Sequence, residues 1–112
     1  MPREFRRITF SNSELKDALS DCRKGFKDSI RSSDVVATAP VRKDDRHLLE
    51  LVLFDFAKER KSRLEIDEHI VRNCLLDYCQ SQSIILPRGA EKSLRLIESN
   101  VCIDMNYDVP AD

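Results

Sequence analysis

The chain has no tryptophan, only two glycines and only 6% aromatic residues. A loop that cradles phosphate needs several glycines close together, and Gly25 and Gly89 stand far apart. Such a cradle is excluded. With so few aromatics, and none interleaved with the basic clusters, there is little to stack on exposed bases. The longest apolar stretch, Leu48 to Phe56, contains Glu50 and Asp55 and falls well short of the ~20 residues a membrane-spanning helix needs. No Ser or Cys has the context of a nucleophile elbow.

Cysteine and histidine are also sparse. The two histidines, His47 and His69, are far apart, and the four cysteines include no CxxC pair, so no zinc-finger spacing exists. The N-terminal residues Met1 to Arg7 pass straight into alternating sequence with no apolar export segment. The expected compartment is the cytoplasm. There Cys22, Cys74, Cys79 and Cys102 are expected to stay reduced, as buried or half-buried thiols that pack like small hydrophobes.

What is present suits one small domain over residues 1–112. Hydrophobic residues make up 41% and charged residues 35%, and the net charge is −1. That is enough apolar material for a core, and a disordered chain would carry less of it with a larger charge imbalance. The balanced charge supplies no overall field to pull the chain onto nucleic acid or an anionic membrane.

Periodicity supplies the elements. Residues 4–10 alternate, with Ile8 and Phe10 on one face and Arg7 and Thr9 on the other, which predicts a strand. Ser11 and Glu14 have the spacing of a capping box. Behind them Leu15, Ala18, Leu19, Cys22 and Phe26 recur at helical spacing, with Ile30 near the end. Residues 35–42 predict a second strand, where Pro40 favours an edge or a bulge.

Lys43 to Arg46 is a polar turn. The stretch 48–56 is apolar on both faces and is expected to run centrally, covered from both sides. Residues 58–61 form a hairpin tip, and Leu64 and Ile66 lie on the return strand. Asp67 is expected to cap a second helix carrying Ile70, Val71, Cys74, Leu75, Tyr78 and Cys79 on one broad face. After the Pro87–Gly89 turn, Leu94 and Leu96, then Val101, Ile103, Met105 and Tyr107, alternate. They predict a terminal hairpin turning at residues 98–100, with a short helix through Ala90, Leu94 and Ile97 as the rival. The tail 109–112 is expected to fray. The order β-α-β-β-β-α-β-β predicts an α+β fold, two helices packed on an antiparallel or mixed sheet.

The stretch Leu86-Pro-Arg-Gly-Ala-Glu-Lys-Ser-Leu94, preceded by a helix bearing Tyr78 and Cys79, resembles an LPRxAxKSL-like segment of a group of small bacterial proteins of unknown function. Ile8-Thr9-Phe10-Ser11 matches their strand-to-helix entry. The resemblance implies a bacterial, single-domain α+β protein and carries no activity with it.

Three groups of residues invite a chemical reading. Glu65, Asp67, Glu68 and His69 are the densest polar cluster, and a metal site would draw on such donors. The preferred account needs no ligand: Asp67 has sufficient work as the helix cap, and acids in a first helical turn are favoured by the helix dipole. His47 beside Asp44 and Asp45 offers an acid/base pair that a charged turn also explains.

Basic residues gather at Arg3, Arg6 and Arg7, at Arg23, Lys24, Lys27 and Arg31, at Lys58 to Arg63, and at Arg88, Lys92 and Arg95. Each run is broken or flanked by acids, as a solvated mixed-charge surface would be. The leading expectation is a non-catalytic regulatory or adaptor module that needs no cofactor or metal and works through protein contacts, self-association as a homodimer included. Leu76, Met105 and Tyr107 are candidates for such a surface. The second expectation is a nucleic-acid-binding regulator using Arg7, Arg88, Lys92 and Arg95 on one face. The third is a small enzyme or metal sensor around His69.

Overall fold

The computed structural model describes residues 2–22, 26, 30 and 32–108. The frayed tail expected at 109–112 and the basic residues Arg23, Lys24, Lys27 and Arg31 lie outside the described residues.

The elements run β1 (Arg3–Phe10), α1 (Asn12–Ser20), β2 (Asp34–Lys43), β3 (Arg46–Asp55), β4 (Arg60–Asp67), α2 (Glu68–Ser81), β5 (Glu91–Ile97) and β6 (Asn100–Asp108). The α+β class and the element order are those the periodicity indicates. The strands divide between two wholly antiparallel sheets, β1-β6-β5 and β2-β3-β4.

The capping box at α1 is complete. The Glu14 amide donates to Ser11 Oγ at 3.1 Å and the Ser11 amide donates to Glu14 Oε1 at 3.0 Å. The helix is shorter than its periodicity suggests, because it ends at a cap on Asp21. Asp67 is the N-cap residue of α2, but its side chain caps nothing. Its carboxylate instead accepts from Arg46 Nη2 at 2.9 Å, a charged donor that outcompetes the helix amides.

Both short hairpins turn through two left-handed residues, Asp44 (φ 48°) and Asp45 (φ 63°), then Glu98 (φ 50°) and Ser99 (φ 67°). That twist matches the flanking strands. The β3–β4 turn is held by Asp55, whose carboxylate accepts from the Ala57 and Lys58 amides and from Ser32 Oγ. The strand expected at the chain's last third is confirmed over Glu91–Ile97, and the rival helix there is absent.

The core is one cluster. Phe10, Leu15, Leu19, Leu51, Leu75, Val71 and Ile103 are its centre, between the inner faces of both sheets and the two helices. Met105 is fully buried within it, and Leu76 and Tyr107 pack against it, so these three extend the core. A Thr38 hydroxyl donating to the Ser99 carbonyl ties one sheet to the other.

The expectation of four reduced thiols is overturned. Cys22, just past α1, is bonded to Cys74 on α2 with a Cα separation of 5.5 Å. Spacing could not reveal this pair, because 52 residues separate its members and only helix packing brings them together. Cys79 and Cys102 remain free and buried, and burial pushes the Cys79 thiol above its ordinary range, where it is a poor nucleophile.

Candidate interaction surface

The stretch 48–56 departs from expectation in an informative way. β3 is central in its sheet, with β2 and β4 on either side. Leu49, Leu51 and Leu53 face the core cluster, while Leu48, Val52 and Phe54 lie outside it. The second apolar face of this strand thus lies outside the core, and it is not uniformly open: Leu48 is buried at 5% exposure, while Val52 and Phe54 are half-buried.

Strand register shows what that outer face contains. Val52 stands opposite Ala37 and Arg63, Glu50 opposite Ala39 and Glu65, and Leu48 opposite Val41 and Asp67. Phe56, 65% exposed, extends the row beyond the strand end. Its ring meets that of Phe54 edge-on, with centroids 4.7 Å apart.

Small residues on β2 keep one flank of the stripe low. Charged residues line the other flank and one end, where Lys43 pairs with Glu65 and Arg46 with Asp67, both at 2.9 Å. An apolar stripe with a charged rim is the anatomy of a protein-binding patch.

The residues expected to bind nucleic acid do not share a face. Arg7 and Arg95 lie on the outer face of the β1-β6-β5 sheet, opposite Asp104 and Cys102 respectively. Arg7 is committed there, with Nε and Nη2 donating to Asp104 at 2.7 and 3.0 Å and its guanidinium 5.2 Å from the Phe5 ring centre. Lys92 points to the other face of β5, and its ammonium donates to the Pro87 and Ala90 carbonyls. Arg88 lines a separate groove with Lys92, beside Asp77 and Gln80 of α2. Two of the four are engaged inside the chain, and the acids beside both groups offset the charge a phosphate backbone would need.

His47, His69, Asp67 and Glu68 do meet. Together with Arg46 and Arg72 they line an open cleft of about 500 Å³ at the start of α2. No three His, Cys, Asp or Glu among the described residues are arranged to hold a metal ion. Asp67 is already bonded to Arg46, Glu65 to Lys43, and both histidine side chains are exposed to water. Asp44 and Asp45 form the turn at the strand ends and do not line the cleft.

Two buried carboxylates have structural work and a pH signature. The Arg7 hydrogen bonds hold Asp104 below the usual carboxylate range. The Lys58 amide, then Ser32, hold Asp55 low in the same way. A carboxylate with a depressed folded pKa contributes stability above its unfolded pKa of about 3.9, and that contribution disappears as pH falls through the folded value. Asp104→Asn and Asp55→Asn are therefore expected to lower the urea midpoint at pH 7 and to converge on the wild type as pH falls through the depressed folded values. A constant offset from pH 7 to pH 2 would show that these pairings are not what protonation breaks.

No family model, curated protein or solved structure matches this chain.

Proposed function

We propose that this protein is a non-catalytic interaction module, a regulatory or adaptor domain that works through protein contacts, its own second copy included. One observation carries the reading: the apolar outer face of the β2-β3-β4 sheet at Val52, Phe54 and Phe56, which lies outside the core cluster, with its strand residues half-buried and Phe56 65% exposed. Burying such a row of aliphatic and aromatic side chains is the main gain available to a partner, at roughly 25 cal/mol per Å² of apolar surface. The charged rim would then set orientation. The His47–His69 cleft supports an enzymatic alternative less well, because the carboxylates around it are engaged by Arg46 and Lys43.

The cytoplasm is the proposed compartment, and the Cys22–Cys74 bond would be subject to reduction there. The likeness of Leu86–Leu94 to small bacterial proteins is the pointer to source. No helix among the described residues is long and apolar enough to cross a membrane.

The test is capture of the native protein from its own cells, with and without nuclease, beside the variant Phe54→Ser/Phe56→Ser. A stoichiometric protein partner that survives nuclease and is lost with the double variant is the expected result. Recovery of nucleic acid, or a partner indifferent to both phenylalanines, would reject the outer face as the docking site.

A further inference from the structure

We infer that two copies of this chain join β4 edge to β4 edge, antiparallel and about a two-fold axis, to form one continuous six-stranded sheet. The inference rests on the reading of the chain as a protein-contact module and names one partner, a second copy, and its register.

The two edges of this sheet are treated differently. β2 carries Pro40, which has no amide hydrogen to donate, and its register breaks between Val35 and Ala37. Both features block strand addition. β4 has neither a proline nor a register break. It pairs only with β3, and no other backbone hydrogen bond among the described residues involves residues 60–67. Arg60 to Arg63 and Glu65 are exposed. Its outer amides and carbonyls therefore form an open hydrogen-bonding template.

Charge selects the occupant. Along the outer face of β4 the side chains run Lys61, Arg63, Glu65, Asp67, two positive then two negative at every second position. Placed antiparallel against itself with Leu64 opposite Leu64, this strand sets Lys61 against Asp67 and Arg63 against Glu65, each twice by symmetry. Opposite charges directly across an antiparallel pair attract, and like charges repel.

A slip by two residues puts Arg63 or Glu65 against its own copy and keeps only the Lys61–Glu65 or the Arg63–Asp67 pairs, so the pattern favours the central register, which has both kinds of attractive pair and no like-charge pair. On the other face the same register brings Leu64 to Leu64 and Ile66 to Ser62. The remaining open edges are poorer templates. Every central register of β1 sets an arginine against an arginine, and β5 offers only the Glu91–Arg95 pairing. The β4 dimer also leaves the outer faces of both copies pointing the same way, which doubles the apolar platform.

Charge reversal tests this through the mass of the purified protein, measured by light scattering across a concentration series. Wild type is expected at twice the chain mass at high concentration. Arg63→Glu alone and Glu65→Arg alone should each raise the dissociation constant roughly tenfold or more, because two attractive contacts become repulsive. The double variant Arg63→Glu/Glu65→Arg should restore the dimer. It does not restore the in-chain pairs of Arg63 with Glu50 and of Glu65 with Lys43, so the rescue cannot come from the monomer. Circular dichroism confirms that each variant is folded.

A wild type at chain mass throughout, a dimer indifferent to all three variants, or a double variant as weak as the singles would overturn the inference. Partner capture through Phe54 and Phe56 is a separate readout, so failure here and failure of the interaction-module reading can be told apart.

Discussion

Reducing the Cys22–Cys74 bond is expected to lower the unfolding free energy by about 4 kcal/mol, because the bond closes a loop with a sequence separation of 52. The stabilisation lies largely in the unfolded chain, whose conformational freedom the cross-link removes. Without the bond, what joins α1 to α2 among the described residues is side-chain packing around Leu15, Leu19 and Leu75. For a domain this size that loss corresponds to a fall in Tm of roughly 15–30 °C.

Denaturant melts with and without dithiothreitol measure the loss, and Cys22→Ser supplies the control. The variant should match reduced wild type and show no further response to reductant. Identical midpoints for oxidised and reduced wild type, with thiol alkylation confirming the two states, would mean that the bond contributes nothing. If the protein works in a reducing compartment, the same measurement gives the range over which redox state sets its stability.

The second large effect is a contrast within one strand. Leu51→Ala removes a side chain with no exposed surface and is expected to cost about 2–5 kcal/mol, as large-to-small changes in a packed core do. Phe54→Ala deletes a larger side chain three residues away on the outer face. It is expected to cost only about 1 kcal/mol, roughly the value of an aromatic pair, here the one with Phe56. Urea unfolding of both variants reads the difference. Were β3 covered on both faces, Phe54→Ala would be the worse of the two. Equal or inverted costs would therefore remove the half-open outer face on which the functional reading stands.

That contrast also marks where the sequence misleads. A strand apolar on both sides is the signature of burial on both sides, and Leu48 to Phe56 carries it. Here Leu49, Leu51 and Leu53 belong to the core, while Val52 and Phe54 lie half-buried outside it and Phe56 is exposed. Local pattern cannot separate the two, because a side chain bound for the core and one bound for a partner are chosen by the same chemistry. The cleft at the start of α2 was half legible. His69 with its acids and His47 with its turn each stood out in sequence, but only the register that pairs Leu48 with Asp67 brings them together. The same register hands Asp67 to Arg46 and leaves the helix uncapped by it.

The amino-acid sequence by itself determined the element order, the capping box of Ser11 and Glu14, the blocked edge at Pro40 and the alternating terminal hairpin. Each of these rests on residues within a few positions of one another, where backbone stereochemistry and side-chain period act directly. Tertiary structure alone decided the split into two sheets, the pairing of Cys22 with Cys74, the engagement of Arg7 by Asp104, and which side of β3 faces inward. All of these depend on contacts between residues distant in the chain. Such contacts are chosen by the packing of whole faces, and no local window contains that information.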